Sequence, residues 1–126
     1  MVVEFKSYRD LKVWQDSMQL AEDCYMLTRR FPKDETYGMS SQIRRSAVSV
    51  PANIAEGHGR ESIGAFVQFL RIAQGSLKEL ETHLILAKRV KLALEEPIDI
   101  LLLKTEIIGK MLRSLIRSIQ VKSDGA

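Results

Sequence analysis

The chain of 126 residues is 45% hydrophobic and 28% charged and carries a net charge of +3, a balance that is typical of a globular domain. No apolar run approaches the length of a membrane span, and residues 1–6 lack the layout of a signal peptide. Cys24 is the single cysteine and excludes an internal disulfide, so we expect one cytoplasmic domain over residues 1–126.

The first predicted helix spans residues 8–30, with Ser7 as its N-cap and Asp10 in the place of a capping-box acid. Two apolar stripes run along this helix and together cover about half of its circumference. Cys24 lies on one of these stripes and is predicted to be buried. Phe31-Pro32 then ends the helix, because the residue before a proline disfavours helical backbone.

The second predicted helix spans residues 41–56 and contains Pro51. Apolar residues keep helical spacing from Ile43 to Ile54 across this proline, so we predict that the helix continues through it with a bend. A proline inside a helix costs about 3 kcal/mol, and the surrounding packing must offset that cost. Gly57 and Gly59 then predict the end of the helix, because glycine readily adopts left-handed backbone.

The third and fourth predicted helices span residues 62–90 and 97–121. The third follows a clean heptad register and contains Gly75, which favours the close approach of a neighbouring helix. Four helices with short connections predict an all-α, antiparallel up-down bundle. We predict that its core includes Trp14, Ile43, Val50, Leu70, Leu77, Leu84, Leu112 and Leu115.

The first and fourth helices carry more apolar surface than one bundle core can cover. The fourth has a second stripe formed by Ile100, Leu103, Ile107 and Met111, outside its core stripe. Large contiguous apolar patches are rare on the surfaces of monomers. We therefore expect a homo-oligomer with the first and fourth helices at its interfaces.

Several segments carry a resemblance to a known family, namely Asp10–Gln15, Phe31-Pro32, Tyr37-Gly38, Gln42–Arg45, Val48–Pro51, Asn53–Gly57 and Gly75–Thr82. Through them the chain resembles the bacterial four-helix-bundle proteins named for the intervening sequences of 23S ribosomal RNA genes. The resemblance implies kinship with the accessory variability proteins of diversity-generating retroelements, which are basic pentamers thought to bind nucleic acid. It thus implies an up-down bundle that assembles as a ring-like homopentamer, and it implies no assigned activity.

The sequence offers no constellation that is typical of catalysis. Di-metal four-helix bundles use a Glu-x-x-His motif, but alanine and leucine stand three residues before His58 and His83. Glu79 and His83 are one turn apart, and we interpret them as an exposed helical pair rather than as metal ligands. Cys24 has no basic neighbour in sequence to activate its thiol. We therefore expect no enzymatic activity, no metal and no cofactor.

A polar set occupies one face of the second helix and consists of Arg45, Ser49, Asn53 and Glu56. We interpret the set as a structural cluster in which Arg45 pairs with Glu56 inside the fold. Asn53 is expected to satisfy the carbonyl freed by Pro51, which has no N–H to donate. The alternative, in which the same set lines a ligand pocket, stays open at this point.

The other basic residues supply candidate contacts to phosphate groups, which hold nucleic acid without reading its sequence. The candidates are Arg44, Arg60, Lys88, Arg89, Lys91, Lys110, Arg113 and Arg117. The sequence therefore favours a non-enzymatic oligomer that binds structured RNA or DNA or acts as a scaffold. The alternative is a protein–protein scaffold whose basic face docks an acidic partner and which has no role with nucleic acid.

Overall fold

The computed structural model describes residues 7–125, with side chains described up to residue 122. Its four α-helices are α1 (Lys12–Thr28), α2 (Met39–Gly59), α3 (Ile63–Arg89) and α4 (Glu95–Gly125). Two 3-10 helices cover Tyr8–Asp10 and Lys33–Glu35, and this part of the chain contains no strand. The prediction of an all-α four-helix bundle is therefore confirmed. Residues 1–6, where we expect no signal peptide, lie outside the described range.

The N-terminal helical region is split into two elements rather than continuous. Ser7 does cap it, because its Oγ accepts a hydrogen bond from the N–H of Arg9 at 3.1 Å. The capped element is the short 3-10 helix, however, and Leu11 has extended backbone before α1 begins. At the other end Thr28 donates from its Oγ1 to the carbonyl of Cys24 at 2.8 Å. The predicted range of 8–30 was therefore too long at both ends.

Helix α2 continues through Pro51, as predicted from the apolar spacing around it. The prediction for Gly57 was wrong, because α2 includes this residue and ends at Gly59. A Cβ added to Gly57 would lie 2.5 Å from the Cβ of Phe69. The absent side chain therefore lets α2 and α3 approach closely. Among the described residues no glycine has a positive φ, and Glu61 has a φ of 58° between the two helices.

The core follows the heptad register of α3 most closely. Of the eight core residues predicted above, six are buried, whereas Trp14 and Leu115 are half-buried. Ile116 is buried beside Leu115, so the inward face of α4 shifts by one residue near its end. No described atom of another helix lies within 4 Å of a Cβ added to Gly75. This glycine therefore brings no helix of the same chain close, contrary to the expectation.

Side-chain contacts between helices show which helices are neighbours. Each helix is hydrogen-bonded through side chains to two others, so the four helices close around one core. The contacts join Arg44 to Thr28, Ser49 to Ser76, Thr105 to Glu81 and Lys104 to Asp23. Within the described residues, no helix combines the length and the apolarity that crossing a membrane requires.

Candidate functional site

Aliphatic side chains form an exposed row along α4. Ile100, Leu103 and Ile107 are 50%, 59% and 49% exposed, and their spacing places them on one side of the helix. Met111, the fourth member of the predicted stripe, is half-buried and packs against the core. A single chain therefore leaves the three branched aliphatic side chains of this row in contact with water.

A second group of exposed apolar residues lies on α1. Met18, Tyr25 and Met26 are exposed there, and Val48 of α2 is exposed beside them. Between α1 and α2 they line a groove with a volume of about 430 Å³, together with Pro51. We call the exposed residues of the two helices, Met18, Met26, Ile100, Leu103 and Ile107, the α1–α4 apolar surface.

An ion pair lies between the two halves of the α1–α4 apolar surface. Lys104 Nζ donates to Asp23 Oδ2 at 2.6 Å, and Gln19 Nε2 donates to the other carboxylate oxygen at 3.1 Å. Lys104 also lines shallow pockets with Met26, Ile100 and Ile107. Sequence reasoning missed this pair because 81 residues separate its members. The only signal for it is the pair of charges placed beside the apolar stripes of α1 and α4.

Arg44, a predicted phosphate contact, is engaged inside the bundle. Its Nε donates to Thr28 Oγ1 at 2.8 Å, and its guanidinium lies 4.7 Å from the centroid of the Tyr25 ring. Arginine over an aromatic ring gains stabilisation from the ring quadrupole. Arg44 therefore joins α2 to α1 through its Nε and through the contact of its guanidinium with Tyr25.

Two further candidates are also held by neighbouring groups of the same chain. Arg60 donates to Glu56 at 2.8 Å, and Lys88 donates to Asp99 at 2.7 Å. The hydrogen bond to Asp99 raises the pKa of Lys88. Lys110 lies 3.9 Å from a carboxylate one turn away, which is a weak surface contact.

The remaining four candidates are exposed cations: Arg89, Lys91, Arg113 and Arg117. None of the ion pairs found among residues 7–122 includes any of them. They form two groups, one at the end of α3 and one on α4. Since Lys88 contacts Asp99, the first group lies near the start of α4, about 20 Å along the helix from the second.

The predicted pair of Arg45 and Glu56 does not form. Arg45 is exposed, and Glu56 pairs instead with Arg60, which is one helical turn away. The earlier interpretation failed because Arg45 and Glu56 are 11 positions apart, about three turns, which is more than two side chains on one helix can span. Within the described residues, Glu56 is therefore a surface group and not part of a buried charge cluster.

The other two members of the polar set do contact each other. Asn53 Nδ2 donates to the carbonyl and the hydroxyl of Ser49, at 2.7 and 3.0 Å. Ser49 Oγ lies 2.8 Å from Ser76 Oγ on α3. The expectation that Asn53 bonds the carbonyl freed by Pro51, that of Ala47, was wrong, because Asn53 bonds the carbonyl of Ser49 instead. Ser49 and Asn53 form a polar contact between α2 and α3.

Cys24 is fully buried, as predicted, and burial raises the pKa of its thiol to about 12, with Asp23 adding to the rise. His83 Nε2 lies 3.5 Å from Glu79 Oε2, and His83 is half-buried rather than exposed. Within the described residues, no three His, Cys, Asp or Glu side chains gather as a metal site would require.

The fold and these surfaces define a small all-α protein of the four-helix-bundle class. Its exposed apolar residues and its exposed cations lie on the outside of the bundle. The chain belongs to the 23S rRNA-intervening sequence protein family, whose model matches residues 9–114. The resemblance seen in the sequence is therefore confirmed. No curated protein matches the chain.

A solved structure extends the similarity to three dimensions. The protein is similar to a protein of unknown function from the S23 ribosomal protein family of Bacteroides thetaiotaomicron VPI-5482. The two are 29% identical, the match covers 82% of this chain and 97% of that chain, and the TM-score is 0.74. Neither comparison assigns a reaction or a ligand.

Proposed function

We propose that the protein is a non-enzymatic, cytoplasmic homo-oligomer that binds structured RNA or DNA through the phosphate backbone. The observation that carries the proposal is the pair of exposed cation groups, Arg89 with Lys91 and Arg113 with Arg117, which have no carboxylate partner in the described chain. The two groups are about 20 Å apart, so a single phosphate cannot reach both. A duplex carries one charge per about 1.7 Å of its axis and can contact the two groups together.

The proposed assembly rests on the arrangement of the helices. We propose an antiparallel up-and-down bundle, because the contacts between successive helices pair late residues of one with early residues of the next, as Lys88 pairs with Asp99 and Glu81 with Thr105. The α1–α4 apolar surface then lies on the outside of each copy. Covering it with a second copy removes Leu103 and its neighbours from water.

A ring-like homopentamer is the assembly we propose, and the number five rests on the family resemblance alone. Sedimentation of the full chain at micromolar concentration tests it. A pentamer supports the proposal, a dimer contradicts the number, and a monomer contradicts the assembly. Repetition around a ring would also multiply the net charge of +3 carried by each copy, which strengthens attraction to a polyanion.

A filter-binding titration with duplex DNA and hairpin RNA at two salt concentrations tests nucleic-acid binding. Four phosphate contacts predict a loss of about a hundredfold in affinity between roughly 50 and 200 mM salt. The sequence of the nucleic acid should matter little, because phosphate contacts carry no sequence information. A high absorbance at 260 nm relative to 280 nm in purified protein supports the same reading.

The same titration separates the second candidate function. The exposed aliphatic row of Ile100, Leu103 and Ile107 favours a protein–protein scaffold, whose basic groups would dock an acidic protein. If neither nucleic acid is retained at low salt, nucleic-acid binding is rejected and the scaffold is the surviving proposal.

A further inference from the structure

A pocket lies between the end of α1 and the turn that joins α3 to α4. Its volume is about 530 Å³, and Leu27, Arg30, Lys91, Leu94 and Glu95 are among the residues that line it. Pockets that hold small molecules usually measure about 300–1,000 Å³. The pocket is therefore large enough for a ligand of roughly ten heavy atoms or more.

One side of the pocket is apolar. Leu27 belongs to the buried core and is only 6% exposed, whereas Leu94 in the turn is 76% exposed. Ala93 and Pro97 are half-buried and extend this apolar lining. A ligand with a hydrocarbon part would cover Leu94 and remove its side chain from water, which is favourable in proportion to the area covered.

The other side of the pocket carries positive charge. Arg30 and Lys91 are exposed, and no ion pair among residues 7–122 includes either of them. Lys88 also lines the pocket but is hydrogen-bonded to Asp99 at 2.7 Å. Glu95 is the one carboxylate of the lining and opposes an anion. The pocket lining therefore contains two cations without an ion-pair partner in the described chain and one carboxylate, and its charge is positive.

The backbone at Lys91 is unusual for a lysine. Its φ is 61°, and the N–H of Leu92 bonds to the carbonyl of Ala87 at 3.0 Å while that of Lys91 bonds to Lys88 at 3.1 Å. These two bonds form the helix-ending motif whose left-handed position is usually glycine. Residues with a Cβ disfavour this conformation, and such strain is concentrated at functional sites. The turn therefore fixes a cation beside the pocket at a small cost in stability.

We propose that this pocket binds a small amphipathic anion, such as a medium-chain carboxylate, with its anionic group between Arg30 and Lys91 and its hydrocarbon part against Leu27 and Leu94. Free phosphate lacks the apolar part and would leave Leu94 exposed. A neutral alcohol lacks the charge that the two cations attract. Lys91 is shared with the proposed phosphate contacts, so each proposal is tested at residues that the other does not use. Nucleic-acid binding is tested at Arg113 and Arg117, and this pocket is tested at Arg30 and Leu94.

The experiment is a calorimetric titration of the full chain with decanoate below its micelle concentration. We expect saturable binding with one site per chain. Arg30→Glu should weaken it at least tenfold, about the effect of losing one charge-assisted hydrogen bond. Arg29→Glu is the matched control, because it makes the same charge change at the adjacent exposed position, which does not line this pocket. Leu94→Asn, at an exposed position with little folding cost, should weaken binding by removing the apolar contact.

Several results would overturn the proposal. Decanoate that shows no saturable binding, or that binds equally to the Arg29→Glu and Arg30→Glu variants, rejects the site. Inorganic phosphate or 1-octanol that binds as tightly as decanoate rejects the amphipathic ligand. Circular dichroism of each variant must match that of the parent chain, and the Leu94→Asn titration remains decisive if Arg30→Glu does not fold.

Discussion

Lys104 on α4 donates a 2.6 Å hydrogen bond to Asp23 on α1, across 81 residues of sequence. The two side chains are 41% and 24% exposed, so the pair contributes at most about 1 kcal/mol to one isolated chain. Its position among Met26, Ile100 and Ile107 changes this value in an assembly. A second copy that covers the α1–α4 apolar surface would desolvate both charges. Loss of either one would then leave the other as an unpaired buried charge.

Lys104→Met should therefore weaken self-association far more than it destabilises the chain. The variant keeps the apolar stem but leaves the carboxylate of Asp23 unpaired in a covered surface, at a cost of about 3 kcal/mol per interface. Adding Asp23→Asn should restore most of the association. Sedimentation measures the effect, and Arg60→Met is the control, because it breaks the exposed pair with Glu56 on α2, outside the α1–α4 apolar surface. Equal effects of the two single variants would contradict this role.

The double change Leu103→Asn and Ile107→Asn should reduce the oligomer to smaller species without unfolding the helices. Both side chains are about half exposed in a single chain, so their replacement costs the isolated fold little. Light scattering gives the mass, and circular dichroism gives the helix content. Ile72→Asn on α3 is the control, because this residue is 44% exposed and lies outside the α1–α4 apolar surface. An unchanged mass for the double variant would remove α4 from the interface.

Gly57→Ala and Gly75→Ala should change stability in opposite directions. The new Cβ at Gly57 would lie 2.5 Å from Phe69 Cβ, and relieving the clash costs about 1–3 kcal/mol. At Gly75 the new Cβ meets nothing within 4 Å, so the higher helix propensity of alanine should stabilise α3 by about 0.5–1 kcal/mol. Urea unfolding of both variants measures the two changes. A stabilised Gly57→Ala variant would show that α2 and α3 are farther apart than described.

Charge reversal of Arg113 and Arg117 should weaken nucleic-acid binding. The slope of the logarithm of affinity against the logarithm of salt concentration should fall by the amount that corresponds to about two phosphate contacts. The matched control reverses Arg45 and Arg71, which are also exposed and outside the ion pairs of the described chain. Filter binding at two salt concentrations compares the variants. If both pairs weaken binding equally, net charge alone explains the attraction and the assigned residues are wrong.

The buried thiol of Cys24 predicts a loss of stability at high pH. Its pKa is raised from 9.0 to about 12 in the folded chain, so the folded state keeps a proton that the unfolded state loses above pH 9. The free energy of unfolding should therefore fall as the pH rises from about 9 to 12. Lysine and tyrosine titrate in this range in both the parent chain and Cys24→Ala, so the difference between the two proteins isolates the effect of the thiol. Unfolding curves of both proteins at pH 8 and about pH 10.5 measure this difference. A parallel fall in both proteins would contradict the prediction.

The sequence predicted the parts of the fold that depend on periodicity. The heptad register of α3 places Leu70, Leu77 and Leu84 in the core because a helical repeat determines which side faces inward. The continuity of α2 through Pro51 followed from the same rule. Helix ends were less predictable, because Leu11 and Gly57 are governed by local backbone and by contact with another helix.

The candidate site was harder to predict than the core. Charge along the sequence does not show which cations are held by another helix, so Arg44 and Lys88 could not be separated from Arg113 in advance. Their partners Thr28 and Asp99 lie on other helices. The prediction of an ion pair between Arg45 and Glu56 failed for a similar reason, since shared helical phase does not guarantee that two side chains reach each other.

The contact between α1 and α4 also fixes when the bundle can be completed during synthesis. At about 5–20 residues per second, roughly 4–16 s pass between the making of Asp23 and of Lys104. During this interval the inward side of α1, including Leu20 and Cys24, lacks the helix that covers it in the finished chain. Fragments that end before α4 should therefore bind chaperones or aggregate, and the proposed assembly of several copies would have to await complete chains.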